Sequence, residues 1–104
     1  MRIAVTYNDG TVEQNFEETT AFKIYQAVGG RVISTILEDV CGFGQGMLPA
    51  FLQDQCVDAL ICGKIPQEAK TALFLANISV YNNAKGNVEQ IIEDFLSGHL
   101  TTTR

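Results

Sequence analysis

The sequence predicts an α/β protein, a sandwich of helices around one mixed sheet. Three observations lead there. Met1–Tyr7 carries a continuous apolar run at Ile3-Ala4-Val5, the pattern of a strand buried on both faces. Two β-forming stretches, Ala21–Val28 and Arg31–Leu37, flank Gly29-Gly30, which is the signature of an antiparallel hairpin with positive φ at both turn positions. From residue 41 onward helical and strand patterns alternate, and such segments return by right-handed crossovers to build parallel strands.

Each element has a local reason. Asn8-Asp9-Gly10 is turn chemistry that stops the first strand. Residues 11–19 are polar and acidic apart from Phe16 and read as a loop. In the hairpin, Phe22, Ile24 and Tyr25 face Val32, Ile33, Thr35 and Ile36 across the two glycines. Gly42, Gly44 and Gly46 make a flexible crossover, after which Met47, Leu48, Phe51 and Leu52 recur at helical spacing. Ala59-Leu60-Ile61-Cys62 is a short buried strand ended by Gly63. Pro66 suits a first helical turn, and Ala69, Ala72, Leu73 and Ala76 form the next apolar stripe. Ile78–Tyr81 is the fifth strand, and Asn82, Asn83 and Gly86 turn the chain. Asn87 caps the last helix with Gln90 as a capping-box partner. Val88, Ile91, Ile92, Phe95 and Leu96 are that helix's buried face, and Gly98 stops it. One domain over residues 1–100 is expected, with Thr101–Arg104 as a frayed tail.

Composition narrows the function classes. The 104 residues are 46% hydrophobic and 18% charged, with a net charge of −5, so a packed core is expected and a phosphate-tracking nucleic-acid binder is not. No apolar stretch approaches the ~18–20 residues of a membrane span, and the N-terminal run lacks the basic region and cleavage site of a signal peptide. The three cysteines, Cys41, Cys56 and Cys62, are an odd number without a Cys-x-x-Cys pair. Free thiols in a reducing cytoplasm are therefore expected. The lone histidine, His99, excludes a His-rich metal site.

In sheets of this class ligands bind beyond the carboxyl ends of the strands, at the point where strand order reverses. If the fourth strand pairs beside the first, that crevice is lined by Asn8-Asp9-Gly10 and by Cys62-Gly63-Lys64.

The same residues carry a family resemblance over nearly the whole chain. The opening Met1-Arg2-Ile3-Ala4-Val5, Phe22-Lys23-Ile24-Tyr25, and Val57-Asp58-Ala59-Leu60-Ile61-Cys62-Gly63 resemble segments of the dinitrogenase iron–molybdenum cofactor biosynthesis family. This is the NifX-like domain also found at the end of NifB and in NafY. Asn15-Phe16-Glu17 aligns with the family's His-Phe-Gly, and Gly44-Gln45-Gly46 is similar to its Gly-His-Gly helix start. The resemblance implies a three-layer, ribonuclease-H-like (nitrogenase accessory factor-like) fold with a five-stranded mixed sheet whose second strand is antiparallel. It also implies a non-enzymatic accessory or carrier protein that binds or relays an iron–sulfur or iron–molybdenum cluster between donor and acceptor proteins. This chain departs where it matters for metal: Asn15 and Gln45 replace the two histidines, and Lys64 replaces a second glycine. Amides lack the basic ring nitrogen that makes imidazole a transition-metal ligand.

The candidate cofactor-binding residues are therefore Cys62, Cys41, Gly63, Lys64, Asn15 and Gln45, with Cys62 and Cys41 as metal ligands. Cys62 ends a strand facing the crevice and thiolates are the normal cluster ligands; its competing reading is a small buried hydrophobe. Cys41 starts ~14 Å from the fourth strand by strand spacing, so a shared site needs its loop to reach back. Cys56 is expected in the core. Gly42–Gly46 could cradle an anion or merely cross over, and Lys64 could supply a cation or be solvated. His99 reads as a surface residue that complements a helix dipole. Asp9, Glu38 and Asp58 invite a nuclease comparison, but Asp58 lies at the wrong strand end for a two-metal site. Two functions stand: a metal-cluster carrier, and a degenerate member without metal that acts as a protein-interaction or small-anion-binding module. A homodimer that completes a site across its interface is also compatible with so few cysteines.

Overall fold

The computed structural model describes residues 1–43 and 45–98. Strand β1 (Arg2–Asn8) is central, with β3 (Ala21–Val28) antiparallel on one side and β5 (Ala59–Ile61) parallel on the other. β4 (Arg31–Asp39) pairs antiparallel outside β3, and β6 (Ser79–Tyr81) pairs parallel outside β5. The strand order is β4-β3-β1-β5-β6. This is the mixed sheet with the second long strand antiparallel that the resemblance implies. The strand count differs slightly, because β2 (Thr11–Val12) pairs with β1 from within the stretch expected to be a loop. That stretch also holds the 3-10 turn Phe16–Glu18.

Two apolar layers explain why the central strands show no alternation. Ile3 and Val5 of β1, with Ala59 and Ile61 of β5, pack with Val88, Ile91 and Ile92 of helix α3 (Val88–Leu96). Ala4 and Leu60 point the other way, into a layer with Leu48 and Leu52 of helix α1 (Leu48–Asp54) and Leu73 of helix α2 (Gln67–Leu75). Successive side chains leave opposite faces of a strand, so burial on both faces demands a continuous apolar run.

The punctuation is chemical. Gly29 and Gly30 have φ of 61° and 80°, as a primed hairpin turn requires. The hairpin is longer than expected, since β4 runs on to Asp39. The helices end alike. Val57 N–H donates to Leu52 C=O and Cys56 N–H to Gln53 C=O, and the same pair of bonds closes α2 through Ile78 and Asn77. Cys56, Asn77 and Gly98 hold the left-handed position at φ of 57°, 63° and 82°. Cys56, expected in the core, is therefore exposed, because a residue in that position turns away from the helix it ends. Asn87 caps α3 by accepting from the N–H groups of Glu89 and Gln90. The reciprocal bond is not made; the Gln90 side chain donates to Asp94 Oδ1 instead. On α2 only Leu73 of the expected stripe is fully buried, while Phe74 and Leu75 are exposed. Pro66 precedes α2 as its N-cap residue.

Candidate functional site

The carboxyl ends of β1 and β5 lie side by side, as the crevice argument requires. The chain itself crosses that edge. Glu13 N–H donates to Thr6 C=O at 2.9 Å, Lys64 N–H to Gln14 C=O at 2.6 Å, and Phe16 N–H to Lys64 C=O at 2.9 Å. Asn15 and Lys64 form a parallel bridge. Segment 13–16 thus lies across the end of β5 like an added strand. Gly63 is required by this crossing: a Cβ there would stand 2.5 Å from the Gln14 carbonyl oxygen. The next loop closes the other side, with Asn83 N–H donating to Gly63 C=O and Ala84 N–H to Cys62 C=O, both at 2.9 Å.

Cys62 sits beneath this cover. Its side chain belongs to the layer packed by α1 and α2 and is 0% exposed. Burial pushes the thiol up to about 12, against a smaller downward pull from the Lys70 charge. It stays protonated near neutral pH, whereas the thiolate is the form that ligates metal. Cys41 is exposed just beyond β4, with its N–H donating to Asp39 Oδ1 at 2.8 Å. β4 stands three strand positions from β5, roughly 14 Å at ordinary strand spacing. Its loop leads toward α1: Phe43 packs edge-on against Phe51, which stacks on Phe22. Gln45 opens the 3-10 turn Gln45–Met47; its side chain, Gly44, His99 and the expected tail 101–104 lie outside the described residues.

The structure therefore brings Asn15, Gly63 and Lys64 together. Asn15 and Lys64, with Phe16, Glu17, Ile65 and Pro66, border an open depression of about 260 Å³. One cation, one carboxylate and one amide meet there. That volume suits an ion or a small polar group, below the ~300 Å³ at which ligand pockets begin. A larger groove of about 1050 Å³ runs between the start of β4 and α3. Glu89, Glu93 and Asp94 line it beside Arg31, so its acidic wall repels an anionic cluster. Among the described residues no group of three His, Cys, Asp or Glu side chains could share a metal ion. The nuclease carboxylates are spread likewise: Asp58 accepts from Arg2 N–H at the amino end of β5, and Glu38 lies on β4. Nor is any helix among the described residues long and apolar enough to cross a membrane.

One polar cluster escaped the sequence reading. Lys23 Nζ and the Tyr25 hydroxyl both donate to Glu89 Oε2, at 2.6 and 2.7 Å. These bonds, Lys23's first and Tyr25's second, hold the Glu89 carboxyl below its ordinary value. Burial, then the Glu89 hydrogen bond, raises the Tyr25 phenol. The signal was the spacing of two residues between Lys23 and Tyr25, which places both on one face of β3; their partner 64 residues on could not be read locally.

Similarity to known proteins agrees with this geometry. The crystal structure of PH0822 superposes with a TM-score of 0.92 at 24% identity, over 98% of this chain and 94% of that one. The apo form of the orange protein from Desulfovibrio gigas gives 0.83 at 26% identity, over 98% and 92%. A Methanocaldococcus jannaschii protein assigned as a dinitrogenase gives 0.82 at 25%, over 99% and 94%. No curated protein sequence matches significantly. The model of the family described as "Dinitrogenase iron-molybdenum cofactor" matches residues 1–98. That match spans nearly all of the 104 residues, and the chain belongs to the dinitrogenase iron–molybdenum cofactor family.

Proposed function

We propose that the chain is a non-enzymatic accessory protein that serves metal-cofactor assembly through contacts with donor and acceptor proteins, without holding a cluster on its own thiolates. The burial of Cys62 under segment 13–16, with its thiol pushed up to about 12, carries this reading. The donors present do not fit an iron–sulfur or iron–molybdenum cluster as cargo: Cys62 is closed off, Cys41 is exposed on a separate edge, Cys56 is exposed where α1 ends, and Asn15 supplies only an amide. What the crevice offers instead is the small depression at Lys64, Asn15 and Glu17, suited to a small anion or to a side chain of a protein partner.

The second reading is a carrier that binds or relays the cluster. It is supported by the family match over residues 1–98 and by the exposed Cys41. Anaerobic reconstitution with iron and sulfide separates the two. The first reading expects a visible spectrum without sulfur-to-iron charge-transfer bands, identical for wild type and Cys62→Ala. Stoichiometric bands lost in Cys62→Ala or Cys41→Ser would establish the carrier.

A further inference from the structure

Among the described residues the outer edge of the sheet at β4 is open. Among the described residues β4 pairs with β3 alone, and every residue from Arg31 to Leu37 is exposed. Ile33, Ile36 and Leu37 are 64%, 49% and 55% exposed. Protein sheets usually blunt such an edge with charges, proline or bulges. Here Val32–Leu37 contains neither a charge nor a proline. The register shift between Gln26 and Ala27 leaves Ser34–Asp39 regular.

The free backbone groups of this strand match themselves. Val40 N–H donates to Thr20 C=O at 2.9 Å, in register with the pairs Phe22↔Glu38, Ile24↔Ile36 and Gln26↔Ser34. Antiparallel ladders alternate. Glu38, Ile36 and Ser34 therefore turn their N–H and C=O groups toward β3, and Thr35 and Leu37 turn theirs outward. A two-fold axis at Ile36 places Thr35 of one copy opposite Leu37 of another, where each pair exchanges two hydrogen bonds. The charges choose the direction. Arg31 opens the strand and Glu38-Asp39 close it, so an antiparallel pair brings Arg31 of each copy toward Asp39 of the other, while a parallel pair stacks like on like.

We infer that β4 is the interface of a two-fold homodimer, in which two copies join their edge strands antiparallel about Ile36 into one continuous sheet. Ile36 meets its own counterpart on the face that carries α1 and α2, since it pairs with Ile24 of that layer. Leu37 covers Thr35 of the second copy on the α3 face. The contact is isologous, so it uses up the open edge in both copies and closes. It leaves the depression at Lys64 free, at the other side of the sheet, and stands independently of the proposed function.

Sedimentation velocity across a concentration series tests this. The wild type shifts reversibly from the 11.4 kDa monomer to a species of twice that mass. Ile36→Lys sets two like charges face to face. Thr35→Pro removes an outward N–H while leaving the bonds to β3 in place. Each raises the dissociation constant by about tenfold or more with an unchanged circular dichroism spectrum. Arg31→Asp weakens the dimer, and adding Asp39→Arg restores it; this pair decides the matter if the other variants fail to fold. A chain that is monomeric at every concentration overturns the inference. So does a dimer indifferent to these substitutions, or a species that keeps growing beyond two copies.

Discussion

Glu89 takes two hydrogen bonds on one oxygen, from Lys23 and Tyr25, and so ties the start of α3 to β3. Its carboxyl is held below its ordinary value, by the Lys23 hydrogen bond first. A carboxyl with a depressed folded value contributes stability that is fully present above its unfolded value. The contribution is lost as the pH falls through the folded one. Glu89→Gln should therefore lower the denaturant midpoint at neutral pH, and the gap to wild type should close on acidification; a gap constant across that range contradicts the role. Cys56 offers the opposite test. It holds a left-handed position at φ 57° where the helix ends, exposed and without the freedom of glycine. Cys56→Gly should raise stability by about 1 kcal/mol in equilibrium unfolding, and a loss would show that the thiol packs. Cys56 escaped the reading because no glycine or asparagine marks the left-handed position that ends α1, and the Glu89 bonds because they span more than sixty residues.

At the scale of elements, what could be read was what short-range chemistry decides. The Gly29-Gly30 hairpin, the unbroken apolar run of β1, and the Asn87 cap each follow from a few adjacent residues. What could not be read were long-range acts of the backbone. Segment 13–16 has the polar composition of a loop, yet it pairs with Lys64 some fifty residues on. The sequence placed Gly63 and Lys64 at one edge of the sheet, and the structure brings Asn15 beside them through its bridge to Lys64. It also placed Cys62 at the strand end, but which face a thiol takes depends on register: Leu60 and Cys62 share the α1 and α2 side. The crossing predicts that Gly63→Ala is costly, since its Cβ would meet the Gln14 backbone at 2.5 Å. Overpacking of this kind costs about 1–3 kcal/mol. Thermal unfolding of the variant reads it, and a neutral result would mean that segment 13–16 yields easily.

For the whole molecule, the family match puts this chain in the dinitrogenase iron–molybdenum cofactor family and the superpositions show a shared fold, while its own residues shape what it can hold. Two apolar layers sandwich the sheet, the strand ends that would receive a ligand are crossed by the chain, and Lys64 borders the small depression at that edge. The central claim is that the strand-end thiol is sealed. Timed reaction of the native protein with a thiol-specific chromogenic disulfide tests it most directly. Cys41 and Cys56 are exposed and Cys62 is buried, so two thiols should react promptly and the third only on unfolding, with Cys62→Ala abolishing the slow phase alone. Prompt reaction of all three thiols in the folded protein would contradict the account.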